Sequence, residues 1–486
     1  MTTTLPRTDD DDTTTNDDAA VTTILQPLSS GLPPVERRAS IPGGFMAGGA
    51  IAGIKASGRP DLAVVVTTDG PASAAAVFTP NAFAAAPVRL SQAHLAATGG
   101  PEGGAASSGA GIGTGRFGYA SAIVSTSGCA NAATGALGDA DQLAVAEALA
   151  AAVAVPVEET LLLSTGIIGT RLPLDRVRAG LMAIATGGLS AAEAGLAAAA
   201  DALRTTDSRT KLATVAVELP GPGGTPITAR VTGMAKGVGM IHPRMATMLA
   251  IVLTDATVEP AALHGLLRPA AARTWDQLSV DGDTSTNDTV FVLASGAAGT
   301  APVEAGTDAA ATLGQALEAV ARDLARQQAA DGEGATTLLT CQVSGAADDA
   351  DARAVARAVI SSSLVKAAAH GRDPNWGRIV GAAGNARAAD PAVLEAGGLS
   401  RTDAVRRGGG LVLVDPDRLR VAIAGHLVFD GTAGGPVRFD RAAARAAMDA
   451  PEVIVRLDLG SGSGTGEAFG CDLTEAYVIE NAEYTT

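Results

Sequence analysis

The stretch 233–255, Gly-Met-Ala-Lys-Gly-Val-Gly-Met-Ile-His-Pro-Arg-Met-Ala-Thr-Met-Leu-Ala-Ile-Val-Leu-Thr-Asp, carries the most chemical information in the chain. Its glycines and proline put Gly237 to Pro243 in irregular backbone, and Thr247 then opens an apolar strand. A β-branched residue at the start of a buried strand needs no further role. The alternative is a nucleophile. If the Ala246–Thr247 bond is cut, Thr247 gains a free α-amine with an ordinary pKa near 7.7–8. That amine can act as general base for the hydroxyl of the same residue, with no histidine and no metal.

Three further groups could serve such a nucleophile. Ser164-Thr165-Gly166 ends a predicted strand with small residues whose hydroxyl and N–H donors could form an oxyanion hole, or simply a turn. In Asp331-Gly332-Glu333-Gly334-Ala335-Thr336 a carboxylate sits between two glycines, where it could meet a substrate ammonium or remain a solvated loop residue. The C-terminus, Glu480 to Thr486, follows a predicted strand at 474–479, and chain ends ordinarily fray. A fourth group, Gly371 to Arg378, places Trp376 among charges at an Asx-Pro turn and reads as a structural corner rather than a pocket wall.

The elements that must position these groups follow from periodicity. Strands are predicted at 61–69, 120–126, 161–163, 212–219, 226–232, 248–254, 289–294, 337–343, 411–414, 420–424 and 452–458. Helices are predicted at 141–154 (capped by Asp139 or Asp141), 188–204, 260–273 and 352–369. Another helix carries Leu313, Leu317, Val320 and Leu324 on one face. The segments 97–118 and 386–409 read as surface insertions. Order is expected from about Ile41, behind an acidic, disordered tail at 1–35. This mixture makes the fold class α/β, an α+β layered sandwich.

Composition narrows the function classes. The chain has 486 residues, 35 basic and 51 acidic, for a net charge of −16. Such a balance argues against nucleic-acid binding and against docking on an anionic membrane. No apolar run reaches the length of a membrane span and no secretory signal is visible, so a cytoplasmic protein is expected. Five histidines and three widely spaced cysteines fit neither a zinc site nor a disulfide framework, and no metal or cofactor is expected.

Taken in order, several motifs resemble the ArgJ family, the ornithine acetyltransferases or glutamate N-acetyltransferases. They begin with Pro42-Gly43-Gly44-Phe45, Ala52-Gly53-Ile54-Lys55, Ala76-Val77-Phe78-Thr79 and Ala86-Pro87-Val88. Ser127-Gly128-Cys129-Ala130-Asn131-Ala132, Ser164-Thr165-Gly166 and Lys236-Gly237 through Thr247 follow. Asp281 through Asp288, Gly332 through Thr336, Pro374 through Arg378 and Asn481 through Thr486 close the series, so the likeness runs from Ile41 to Thr486.

The resemblance implies self-cleavage between Ala246 and Thr247, giving an α chain that ends at 246 (its body 36–246) and a β chain, 247–486. It implies Thr247 as nucleophile and Thr165 and Gly166 as oxyanion hole. Thr165, Lys236, Thr247, Glu333, Asn481 and Thr486 would contact substrate. The implied fold is ArgJ/DmpA-like, similar to N-terminal-nucleophile hydrolases, and the implied assembly is two α and two β chains. The implied reaction is ping-pong: N-acetylornithine acetylates Thr247, and glutamate takes the acetyl group to become N-acetylglutamate. Acetyl-CoA is a further candidate acyl source. Arg244, Thr337 and Ser125-Thr126 depart from the family's common residues, so a paralogue acting on another amino acid in specialised metabolism is one alternative. An N-terminal-threonine amidohydrolase, whose acyl-enzyme goes to water, is another.

Overall fold

The computed structural model describes residues 25–28, 31–100, 115–242, 248–391, 394 and 400–483. Its strands form three sheets. A six-stranded sheet runs in the order β4 (Arg116–Ala120), β3 (Ala72–Phe78), β11 (Thr289–Ala294), β9 (Leu249–Thr254), β8 (Pro226–Lys236), β7 (Lys211–Pro220). A four-stranded sheet has the order β1 (Phe45–Ala50), β2 (Leu62–Thr67), β5 (Ala122–Cys129), β6 (Thr160–Ile167). A seven-stranded sheet has the order β10 (Leu278–Ser279), β17 (Gly464–Cys471), β12 (Leu338–Ala346), β16 (Glu452–Asp458), β13 (Arg420–Ile423), β14 (His426–Asp430), β15 (Gly435–Pro436).

Strand alternation decides which core each sheet serves, because successive side chains point to opposite faces. On the six-stranded sheet Ala75, Val77, Ala250, Val252, Val290 and Val292 meet helices Pro260–Arg273 and Asp308–Ala330. Their neighbours Ala74, Ala76, Ile251, Leu253, Phe291 and Leu293 share a second core with the four-stranded sheet and helix Glu193–Leu203. The opposite face of the four-stranded sheet, with Leu62, Val64, Val124 and Leu162, is covered by helices Gly135–Val153 and Leu174–Ala183. The result is the layered α/β arrangement expected from the alternation of strands and helices. Alanine fills many of these positions, which lets the layers approach closely.

Helix Asp308–Ala330 is the pivot of the layers. Leu313, Leu317, Val320 and Leu324, the predicted stripe, are all buried, and Thr307 caps the helix by accepting from the Ala310 N–H at 3.2 Å. The helix ends directly before the turn that carries Glu333.

Several expectations need correction. The predicted strand at 474–479 is a helix, Glu475–Glu483. Val478 and Ile479 look strand-like, yet they are 62% and 59% exposed. Thr474 Oγ1 accepts from the Tyr477 N–H at 3.3 Å and starts the helix instead. The predicted helix at 352–369 divides into Asp349–Ile360 and Ser363–His370, because Ser362 caps a new turn through the Val365 N–H. The helix predicted at 141–154 begins at Gly135, so Asp139 and Asp141 lie inside it rather than at its cap. Asp141 is spent on an ion pair with Arg171 at 2.7 Å. Residues 411–414 form no strand, only an isolated bridge between Leu411 and Arg387.

Order also begins before Ile41: Leu25 is buried, Leu32 and Val35 pack against the core, and Glu36 bridges Thr214. Of the two expected insertions, residues 101–114, 392–393 and 395–399 lie outside the described residues. Arg401–Arg407 within the second is a helix capped by Ser400. The Trp376 corner is structural as expected. Asn375 accepts from the Arg378 N–H at 3.1 Å, and the Trp376 ring packs on Phe429 with centroids 5.3 Å apart.

Candidate active site

β6 runs straight through Ser164-Thr165-Gly166, parallel to β5, with Gly166 opposite Gly128. The two strands meet so closely there that a Cβ on Gly166, whose φ is +126°, would lie 2.3 Å from the Gly128 carbonyl carbon. Only glycine fits. Asn287 fixes the same corner from the opposite side. Its Nδ2 donates to the Ser164 carbonyl at 2.8 Å and to the Ala130 carbonyl at 2.7 Å.

A cavity of about 430 Å³ opens at this corner. Five of the residues singled out from the sequence line it together: Thr165, Gly166, Lys236, Glu333 and Asn481. They come from the end of β6, the end of β8, the turn after helix Asp308–Ala330, and helix Glu475–Glu483. Thr247, with Ala246 and Arg244 before it, and Thr486 lie outside the described residues. The first described residue after Thr247 is Met248, whose N–H donates to Asp288 Oδ1 at 2.9 Å.

Lys236 ends β8 and is 3% exposed. Its Nζ donates to Thr205 Oγ1 at 3.2 Å. Its carbonyl accepts from Gln328 Nε2 at 2.8 Å, and Gln328 in turn accepts from the Trp275 indole at 3.2 Å. Burial pulls the Lys236 ammonium below the ordinary lysine range, opposed by the charge of Asp207. The opposite wall is anionic. Glu333 accepts from Thr206 Oγ1 at 2.9 Å on Oε1 and from Asn481 Nδ2 at 3.0 Å on Oε2. Its own N–H donates to the Val238 carbonyl at 2.8 Å, tying the turn to the segment that follows Lys236. The cavity therefore presents a cation and an anion, the pair needed to hold the two ends of an amino acid.

Beneath them lies a buried ion network. Lys211 Nζ donates to Asp207 Oδ1 and to Asp331 Oδ2, both at 2.6 Å, and the Lys211 side chain is 0% exposed. Asp207 also accepts from the Gly237 N–H at 2.9 Å and the Thr205 N–H at 3.1 Å. Burial alone would push the Asp207 carboxyl up. Lys211 and Lys236, with the Gly237 N–H, outweigh it and hold the carboxyl down at about 2. Asp288 shows the opposite outcome. Burial raises it well above the ordinary carboxylate range despite the Met248 N–H and the nearby Lys236.

Reading the sequence residue by residue did not single out Thr205, Thr206, Ser285, Thr286 or Asn287 as cavity residues, though all five line it. The last three fall in the Asp281–Asp288 run quoted for the family resemblance, which was the available signal. Thr205 and Thr206 carried none, being two threonines in a polar loop.

Gly334 seats the turn against helix Glu475–Glu483. Its φ is +66°, and a Cβ there would lie 2.3 Å from the Tyr477 backbone nitrogen. Gly334→Ala is expected to cost about 1–3 kcal/mol of stability for the left-handed backbone alone. Because the clash pushes the helix away, it should also part Asn481 from Glu333. A thermal melt together with a raised KM checks this, and a lowered Tm at unchanged KM contradicts the second part.

Among the described residues, no group of three or more His, Cys, Asp or Glu side chains could hold a metal ion. No helix among them is long and apolar enough to cross a membrane.

Comparison with known proteins bears on residues 46–486, which match the model of the ArgJ family. The arginine biosynthesis bifunctional protein ArgJ of Thermosynechococcus vestitus is 44% identical, over 91% of this chain and 96% of its own length. The protein of the same description from Deinococcus radiodurans is 43% identical, over 92% of this chain and 98% of its own. Among solved structures, the Bacillus halodurans arginine biosynthesis bifunctional protein is 36% identical, covers 48% of this chain and 97% of its own, and superposes with a TM-score of 0.41. The ornithine acetyltransferase of Mycobacterium tuberculosis, solved with ornithine, is 35% identical over 43% of this chain and 97% of its own, with a TM-score of 0.35. The chain belongs to the ArgJ family.

Proposed function

We propose that this chain is a self-processing acetyltransferase of arginine biosynthesis, moving an acetyl group from N-acetylornithine to glutamate. The observation that carries this reading is the cavity itself. It gathers Thr165, Gly166, Lys236, Glu333 and Asn481, and it borders Asn287, next to the Asp288 that binds the amide following Thr247.

The mechanism follows from these groups. Cleavage of the Ala246–Thr247 bond frees the α-amine of Thr247. That amine takes the hydroxyl proton as Oγ attacks the acetyl carbonyl. The Thr165 hydroxyl and the Gly166 N–H receive the developing oxyanion, at a corner held rigid by Gly128 and Asn287. Ornithine leaves with the proton, and an acetyl ester remains on Thr247. Glutamate then binds, its amine attacks the ester, and N-acetylglutamate departs as the hydroxyl is restored. Lys236 meets the substrate's α-carboxylate, and Glu333 meets the side-chain ammonium of ornithine. In the same reading Asn481 and Thr486 contact the substrate. Acetyl-CoA as a second acyl source, an assembly of two α and two β chains, and a cytoplasmic location belong to the same reading.

Brief incubation with N-acetylornithine followed by mass spectrometry should find one acetyl group on Thr247 of the β chain. Adding glutamate should discharge it as N-acetylglutamate. Acetate released to water, with no N-acetylglutamate formed, would sink the transferase reading in favour of an amidohydrolase.

A further inference from the structure

Two adjacent hydroxyls in the cavity touch both of its charged walls. Thr205 Oγ1 accepts from Lys236 Nζ at 3.2 Å, and Thr206 Oγ1 donates to Glu333 Oε1 at 2.9 Å. One dipeptide thus spans from the cation to the anion, and the separation of the two charges is set by its backbone. That backbone is tied down on every side. Asp207 accepts from the Thr205 N–H at 3.1 Å, and Lys211 holds Asp207 from beneath at 2.6 Å. Arg204 Nη2 donates to the Asp207 carbonyl at 2.8 Å and to the Ser208 carbonyl at 2.9 Å. The Ser208 N–H donates to Asp331 Oδ2 at 3.1 Å, and Asp331 is the second partner of Lys211.

We propose that Thr205 and Thr206 are specificity-determining residues: a ruler that fixes the spacing of Lys236 and Glu333 and so selects the length of the diamino acid bound between them. This rests on the reading that those two residues hold the α-carboxylate and the side-chain ammonium. The physical reason is the chemistry of the two ends. A carboxylate oxygen accepts more than one hydrogen bond, so Glu333 can keep Thr206 and Asn481 as partners and still meet an ammonium. The Lys236 ammonium has three donors, of which Thr205 takes one. With those bonds made, neither charged group can follow a ligand that is one methylene too long or too short. Without Thr206, Glu333 keeps only Asn481 and can swing to meet either.

The test is calorimetric titration of the processed enzyme with L-ornithine, L-2,4-diaminobutyrate and L-lysine, which differ by one methylene each. The wild-type enzyme should prefer L-ornithine by about tenfold or more over both. In Thr206→Val, which keeps the shape and loses the donor, the preference should shrink to about two- to threefold, and Thr206→Ser should restore it. If Thr206→Val fails to fold, Thr206→Ala carries the same comparison. An equal loss of affinity for all three ligands assigns Thr206 a merely structural role and overturns the ruler, as does a wild-type enzyme indifferent to length. The acetyl adduct on Thr247 is scored separately. Its absence with the length preference intact overturns the transferase reading alone, and its presence with no length preference overturns the ruler alone.

Discussion

Thr247→Ala is expected to run as one uncut chain of 47.9 kDa on a denaturing gel, where the wild-type protein gives two. Acetyl transfer should fall by about 10⁴-fold or more, the scale on which losing a nucleophile is felt. The expectation rests on what the cavity lacks as much as on what it holds. Its described lining contains Thr165, Thr205, Thr206, Ser285 and Thr286 as hydroxyl residues, but no histidine and no cysteine. A hydroxyl without a base nearby is a poor nucleophile at neutral pH, and of these five Thr205 and Thr206 meet an ionisable group of the lining, Lys236 and Glu333, but not an amine of their own. Thr247 escapes the difficulty because cleavage would give it an amine of its own. Thr247→Ser keeps both the hydroxyl and the incipient amine and should still process. A full-length Thr247→Ala band that retains transfer activity would move the nucleophile elsewhere in the cavity.

The support for that nucleophile extends back into the fold. The residue after it, Met248, is anchored through its N–H to Asp288, and Asp288 sits one residue from Asn287, which pins the carbonyls of Ser164 and Ala130. One short loop therefore registers the start of β9 against the Thr165-Gly166 corner at the end of β6.

How much of this was legible in the sequence depends on whether the signal was local. Val290 and Val292, alternating with Phe291 and Leu293, announce a strand buried on both faces, and the stripe from Leu313 to Leu324 announces a helix. The segment 474–479 failed because Val478 and Ile479 imitate a strand, while the deciding feature is one hydroxyl, that of Thr474, meeting the N–H of Tyr477. The error touched the site, since Asn481 reaches Glu333 only from a helix that begins at Glu475. The separate parts of the site, Thr165-Gly166 and Glu333, were readable as chemistry but not as neighbours. Their meeting depends on long-range pairing such as β5 with β6. Thr205 and Thr206 were unreadable for a related reason. Their role comes from the Lys236 and Glu333 they touch, and no feature of a Thr-Thr-Asp-Ser loop foretells those partners.

Lys211 is another residue whose sequence context says nothing, and removing it should have the largest effect on stability. Buried lysines are rare unless paired, and this one is fully buried between Asp207 and Asp331. Lys211→Met keeps the length of the side chain and removes the charge, so Asp207 and Asp331 stay buried without the ammonium that bridges them. The expected cost is about 3–5 kcal/mol, seen as a lowered midpoint in chemical denaturation. The pH dependence gives a sharper check. In the wild-type protein Asp207 is held at about 2, below its ordinary value of 3.8. Its stabilising contribution is therefore complete above pH 3.8 and is lost as the pH falls through about 2. Without Lys211 the desolvation of Asp207 is opposed only by Lys236 and the backbone donors, and its pKa is expected to rise above the unfolded value. The sign then reverses. Acidification from neutral pH should stabilise Lys211→Met relative to itself as the buried carboxyl takes up a proton, over a range where the wild-type protein gains nothing from this group. Denaturation midpoints of both proteins between pH 7 and 4 decide it. Parallel curves for the two would mean that Lys211 does not hold Asp207 in its charged form. The same curves bear on the catalytic cavity, because Asp207 also binds the amides of Gly237 and Thr205, the residues that seat Lys236.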